Sequence, residues 1–179
     1  MCDRDSKNGE YIVTTLRLLR DVSCKSVISV RACFHTACVT NASEVFTWRK
    51  GRYGTLGHGD VNYQSSPKRV EALVGVNVEQ FACGMVHTAV CTDDDHAHTF
   101  DDRLYGQLGH MHREKRTSVP VLVQALEGKY IIQVKCGCDH TIFFTSTGHV
   151  FTFRRKDNSF IVIHFLNTHI MKQSIHTSH

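Results

Sequence analysis

Proline is scarce: Pro67 and Pro120 are the only two in 179 residues. That excludes a polyproline or collagen-like chain. Blocks of five or six Lys/Arg are missing too, and the densest basic run is "FRRK" at Phe153–Lys156, which reads as a solvated turn. The net charge of +4 therefore admits an acidic partner but carries no specific nucleic-acid signal. No apolar run approaches the roughly 20 residues of a membrane-spanning helix. "FIVI" (Phe160–Ile163) is strand-sized, so no membrane span is expected. The N-terminal "MCDRDSKNGE" lacks the apolar core of a signal peptide. These absences predict an intracellular chain, cytoplasmic rather than nuclear.

Eight cysteines are present, none in a C-x-x-C pair. An intracellular chain of this size does not call for a disulfide framework. Cys136, Cys138 and His140 are close enough to suggest zinc. Read as alternate residues of one strand, they form a row on one face and not a tetrahedron. Cys83 and Cys136 each precede a glycine and are expected to be small buried core residues. "TDDDHAH" (Thr92–His98) is rich in metal-ligand types but sits where a hairpin turn belongs. No nucleophile and base are paired in a way that outweighs a structural reading. No catalytic, metal or cofactor-binding residue is assigned, no cofactor is expected, and the chain is not expected to be an enzyme.

What the chain does have is a repeat. "WRKGRYGTLGHG" (Trp48–Gly59) returns 52 residues later as "FDDRLYGQLGH" (Phe100–His110). Gly54, Leu56, Gly57 and His58 fall on Gly106, Leu108, Gly109 and His110. Pro67, Val70 and Leu73 fall on Pro120, Val123 and Leu126. "FACGMVHTAVCT" (Phe81–Thr92) and "VKCGCDHTIFFT" (Val134–Thr145) share one frame, and "VRACFHTACVT" (Val30–Thr40) is a third copy with its glycine lost. His35, His87 and His140 thus recur, as do Trp48, Phe100 and Phe153. The pieces between turns are rich in Thr, Val, Phe and Cys and read as strands. "TDDD" (Thr92–Asp95) and "TSTG" (Thr145–Gly148) read as hairpin turns. Only Glu71–Val74 and Gln124–Glu127 predict a helical turn. A period near 50 residues built from strands and glycine-rich turns points to propeller blades.

This pattern resembles the regulator of chromosome condensation repeat family, whose repeat carries W-G-x-G-x-x-G-x-L-G, then Pro-x-x-Val-x-x-Leu and Gly-x-x-His-Thr. The resemblance runs from about Val27 to Phe153. It implies an all-β fold: a partial, incomplete β-propeller of about three blades, where a closed ring of this kind takes about seven. Residues 1–42 would be a partial N-terminal repeat, 43–94 and 95–147 two repeats, and 148–153 the start of a further one. Residues 154–179 form an unmatched tail. The resemblance makes His35, His87 and His140 structural residues inside their blades.

Departures from the family frame are as informative as matches. The glycine after the aromatic is Arg49, Asp101 and Arg154 in successive copies. A second turn glycine, Gly51, becomes Arg103. Asp95 stands where Gly148 does, and Ala32 where Gly84 and Gly137 do. A side chain where φ must be positive costs on the order of 1–2 kcal/mol. The sequence therefore predicts several strained turns, as drift from a better template would leave.

An open arc leaves blade faces uncovered. The expected function is that of a protein-interaction scaffold, as a fragment of a larger propeller protein. The partner would be another protein or the missing propeller blades. The resemblance offers guanine-nucleotide exchange on a small GTPase as an alternative, and a truncated product without independent function as a further one.

Overall fold

In the computed structural model the described residues are 18–101, 106–110, 117–154 and 160–164. They form twelve strands in three four-stranded antiparallel sheets, each in sequence order. The first sheet holds β1 (Val27–Ala32), β2 (His35–Thr40), β3 (Val45–Arg49) and β4 (Gln64–Arg69). The second holds β5 (Val78–Cys83), β6 (His87–Thr92), β7 (Ala97–Asp101) and β8 (Thr117–Leu122). The third holds β9 (Ile131–Cys136), β10 (His140–Thr145), β11 (His149–Arg154) and β12 (Phe160–His164). The sheets are propeller blades, and the arc they make is not closed into a ring. Short 3₁₀ turns at Glu71–Leu73 and Gln124–Leu126 link them, where the sequence predicts helical turns. A one-turn helix, α1 (Arg20–Ser23), holds the matching place ahead of β1.

The core lies between blades. Ala37, Val39 and Val45 of the first blade meet Val78, Phe81, Val90 and Phe100 of the second. Ala89, Cys91 and Ala97 meet Ile131, Val134, Phe143, Phe151 and Phe153 of the third. The period-2 alternation of each strand thus sends one face backward and the other forward along the arc.

Two expectations are corrected. First, the loop between β1 and β2 is Cys33–Phe34, one residue shorter than Gly84–Val86 or Gly137–Asp139. Ala32 pairs with Thr36 as Cys83 does with Thr88. The Cys33 amide donates to the His35 carbonyl as Gly84 does to His87, so Cys33, not Ala32, holds the glycine's place. Second, Cys136, Cys138 and His140 are not on one strand: Cys138 lies in the loop that joins β9 to β10. Past Phe153, where the repeat pattern of the sequence stops, the chain adds one more strand. β12 pairs with β11, Phe153 opposite Phe160 and His149 opposite His164, and completes the third blade through a five-residue connection instead of a glycine-rich loop.

The cysteines divide as well. Cys38 and Cys91 are buried, whereas Cys83 and Cys136 are only partly so. Burial of the sulfur still pushes the Cys83 thiol up to about 12, and Cys136 higher.

Candidate interaction face

The repeated histidine joins blades. His35 Nε2 lies 2.7 Å from Thr88 Oγ1 of the next blade, and Thr88 Oγ1 donates to the Thr55 carbonyl at 3.0 Å. One blade further, His87 Nε2 lies 2.9 Å from Thr141 Oγ1, which donates to the Gln107 carbonyl at 2.8 Å. A hydroxyl has one proton to give. Each threonine spends it on the loop carbonyl, so each histidine must donate through Nε2–H. Nδ1 is then an unprotonated nitrogen, buried and without a hydrogen-bond partner in both. Burial pulls both imidazoles down to about 4, which keeps them neutral. The expectation of a histidine inside its blade is refined: the ring spans the joint between two blades.

The same joint explains the glycine-rich loop. A Cβ on Gly57 would fall 2.9 Å from the Phe100 ring, and one on Gly109 would fall 2.7 Å from the Phe153 ring. Both glycines have positive φ, 75° and 72°. The loop of one blade is the seat for the aromatic of the next, and only glycine fits both the contact and the dihedral. The Gly59 N–H donates a hydrogen bond to the Ser118 carbonyl at 2.8 Å. Within the blade, Thr47 Oγ1 donates to the Leu56 carbonyl at 2.6 Å and lies 3.0 Å from His58 Nε2. Thr99 repeats this with Leu108 and His110.

The outer surface of the pinned first loop carries its chemistry. Arg49, Lys50 and Arg52 are exposed. Lys50 Nζ stands 5.3 Å over the ring of exposed Phe34, and the Arg52 guanidinium 4.8 Å over Tyr53, within cation–π range. Tyr63 and Val61 stand exposed at the loop's end. Sequence reasoning named these residues only as departures or turn positions. Their grouping depends on Phe34, which comes from the adjacent hairpin loop.

The predicted strained turns fall out unequally. Arg49 has φ 85° and Asp95 φ 65°, and Ser43, at the same hairpin position as Asp95, has φ 57°. Gly148 holds that position in the third blade at φ 83°. Asp101 does not share the dihedral of Arg49. It is buried and accepts from Gln107 Nε2 at 2.7 Å. Arg103 lies outside the described residues.

At the opposite end of the blades lies the acidic turn of Thr92–His98. Asp94 pairs with His96 Nδ1 at 2.9 Å and bonds to Thr92 Oγ1. These bonds, that to Thr92 first, hold its carboxyl below the usual carboxylate range. Asp93 accepts from Asn77 at 2.9 Å. The residues of this turn close a hairpin between β6 and β7, as expected. Among the described residues no three His, Cys, Asp or Glu side chains converge as metal ligands, and no helix is long and apolar enough to cross a membrane.

Known proteins agree with this architecture. The Regulator of chromosome condensation (RCC1) repeat matches residues 43–91 and 104–144. E3 ubiquitin-protein ligase HERC2 of Homo sapiens is 41% identical over 125 residues, which is 69% of this chain and 3% of that protein. Probable E3 ubiquitin-protein ligase HERC4 of Mus musculus is 34% identical over 150 residues, 82% of this chain and 14% of that protein. Human WBSCR16 superimposes with a TM-score of 0.68 at 25% identity, over 76% of this chain and 37% of its own. Yeast RCC1 (Prp20), solved bound to Kap60, gives 0.66 at 16% identity, over 79% and 38%. The chain thus spans a small part of each, and the match to the ligases lies in their repeat region.

Proposed function

The chain belongs to the RCC1 repeat family, and on that premise we propose that it is a protein-interaction module whose binding surface is the loop of Arg49–Tyr63 with Phe34. The observation that carries this reading is the set of exposed cations stacked on aromatics, displayed on a loop that buried bonds hold fixed. A preorganised loop loses little entropy on binding, and Arg and aromatic residues are the side chains that anchor interfaces. The cations favour a partner with an acidic protein surface. Protein binding is also how solved relatives were described: Prp20 bound to Kap60, and Prp20p with Gsp1p and histones. No ligase chemistry is carried over from the HERC relatives, because the shared part is the repeat region. We place the protein inside the cell, in the cytoplasm.

The test is proximity labelling in cells with the wild-type chain and with a Phe34→Ala, Lys50→Glu, Arg52→Glu variant. The expected outcome is loss of most labelled partners in the variant at equal abundance. An unchanged partner set would overturn the reading, and no labelling above background by either chain would favour a product without independent function. Guanine-nucleotide exchange is tested separately, by release of fluorescent nucleotide from a small GTPase. No acceleration is expected, since an exchange face needs several blades beyond three.

A further inference from the structure

Gln80 shows how one blade clasps the next. Its Nε2–H donates to the Ile132 carbonyl at 2.5 Å, and its Oε1 accepts from the Val134 N–H at 3.3 Å. Both backbone groups belong to β9, the edge strand of its sheet. Ile132 is the extra residue of a β-bulge, which turns its carbonyl away from β10. One side-chain amide thus satisfies a donor and an acceptor on a strand edge, as a neighbouring strand would. The edge strand β5 repeats this arrangement, with Glu79 as its bulge residue and Phe81 in the place of Val134. The residue in Gln80's place on β1 is Ser29, since β1 bulges between Val27 and Ser29 as β5 does between Val78 and Gln80. A serine is too short to span the joint, and its Oγ accepts from Arg31 Nη1 at 3.1 Å instead. Among the described residues, nothing outside the sheet of β5 bonds to the Glu79 carbonyl or the Phe81 N–H. A cleft of about 230 Å³ opens there, with Ser29, Arg31, Glu79, Phe81, Gln133 and Lys135 in its walls. All of its walls belong to described blades, and its cause is a serine where a glutamine would reach.

We propose that this cleft binds a free amino acid with a side-chain carboxamide, such as glutamine, whose amide clasps β5 as Gln80 clasps β9. The ligand's NH₂ would donate to the Glu79 carbonyl, and its amide oxygen would accept from the Phe81 N–H. The cleft is smaller than the usual drug-sized pocket and suits one amino acid better than an extended peptide. The charges in its walls match the rest of a zwitterion. Arg31 and Lys135 suit an α-carboxylate, and the Glu79 carboxylate suits an α-ammonium. The Arg31 guanidinium is held 5.6 Å over the Phe81 ring, beside the N–H that the ligand would use. Glutamate, of the same size, has no proton to give the Glu79 carbonyl when ionised and brings a second negative charge.

The test is an amide NMR titration of the full chain with L-glutamine. The Phe81 amide proton should move downfield and saturate in the millimolar range expected of so few polar contacts, while the Val134 amide, already held by Gln80, stays in place. L-Glutamate should leave Phe81 unmoved. Ser29→Gln supplies the carboxamide from the chain itself. It should shift Phe81 before any ligand is added and bind glutamine roughly tenfold more weakly or not at all. Ser29→Ala should bind as the wild type does, and an unchanged far-ultraviolet spectrum checks the fold of both variants. N-acetyl-glutamine methylamide, which stands in for a glutamine within a partner's peptide chain, lacks both charges and should bind more weakly. Equal binding by it would overturn the free amino acid as the ligand and make a peptide the source of the carboxamide. An unmoved Phe81 amide, an equal response to glutamate, or undiminished binding by Ser29→Gln would overturn the site itself. The cleft shares no residue with Phe34 or the loop of Arg49–Tyr63, so none of these results bears on that surface.

Discussion

His87 and His140 hold the same position in their repeats, yet they live in different surroundings. His87 is fully buried, its Nε2 on Thr141 of the following blade and Gly84 against its ring. His140 has the matching glycine, Gly137, against its ring, but the third blade is the last one described and the residue is only half-buried. The difference teaches that burial of a repeat residue here is set by the neighbouring blade. A blade contributes half of each joint and is complete only with the next. Experiments on stability should therefore separate joint residues from equivalent residues at the ends.

Acid gives the largest expected effect. Folding depresses the His35 and His87 pKa from 6.5 to about 4. Below pH 6.5 the unfolded chain takes up protons that the folded chain refuses. Their contribution is thus complete above pH 6.5 and lost as pH falls toward 4, on the order of 3 kcal/mol for each histidine. Denaturant midpoints measured from pH 8 to pH 4 should fall steeply over that window, and a flat profile would remove the two buried imidazoles as its cause.

Next in size is the glycine seat. Gly109→Ala drives a methyl into the Phe153 ring and holds a positive φ, for a combined loss of about 3 kcal/mol. Gly75→Ala has a similar φ, 81°, and open space around it, so only the backbone term of about 1 kcal/mol should appear. Equal losses in chemical denaturation would remove the packing argument for the repeated loop.

Thr88→Val should cost about 1–3 kcal/mol, because it orphans the buried Nε2–H of His35 and the Thr55 carbonyl together. Thr36→Val, at the same position in the first blade, where the described residues supply no histidine partner, should stay within about 0.5 kcal/mol in thermal melts.

The smallest effect has opposite signs at matched sites. Arg49→Gly relieves a left-handed side chain and should gain about 1 kcal/mol. Asp101→Gly removes the buried acceptor of Gln107 Nε2 and should lose stability. Midpoints of the two variants, with Lys50→Gly as control, decide whether strain or hydrogen bonding rules the strand end.

Much of this was legible in the sequence, for a physical reason. Strand composition, turn residues and the recurring glycines are local requirements of φ, ψ and alternation, and local requirements repeat when the blade repeats. The 52-residue interval, the hairpins at Asp95 and Gly148 and the turns at Glu71 and Gln124 all follow from that. Local reading also set limits. It counted Asp101 with Arg49 as a lost glycine, because it could not see Gln107 arrive beside the carboxylate. It put Ala32 in the glycine's place, because a one-residue deletion in a loop shows only when strand register is known. It gave "FIVIH" no partner, because pairing with β11 is a contact between strands.

The sequence by itself determined the blade: which residues form strands, where they turn, and which side chains recur. Only the tertiary structure decided what the recurring residues are for. A histidine, a threonine and a glycine separated by tens of residues become one joint when blades pack, since hydrogen-bond partners and excluded volume are set by distance in space, which the order of residues along the chain does not fix.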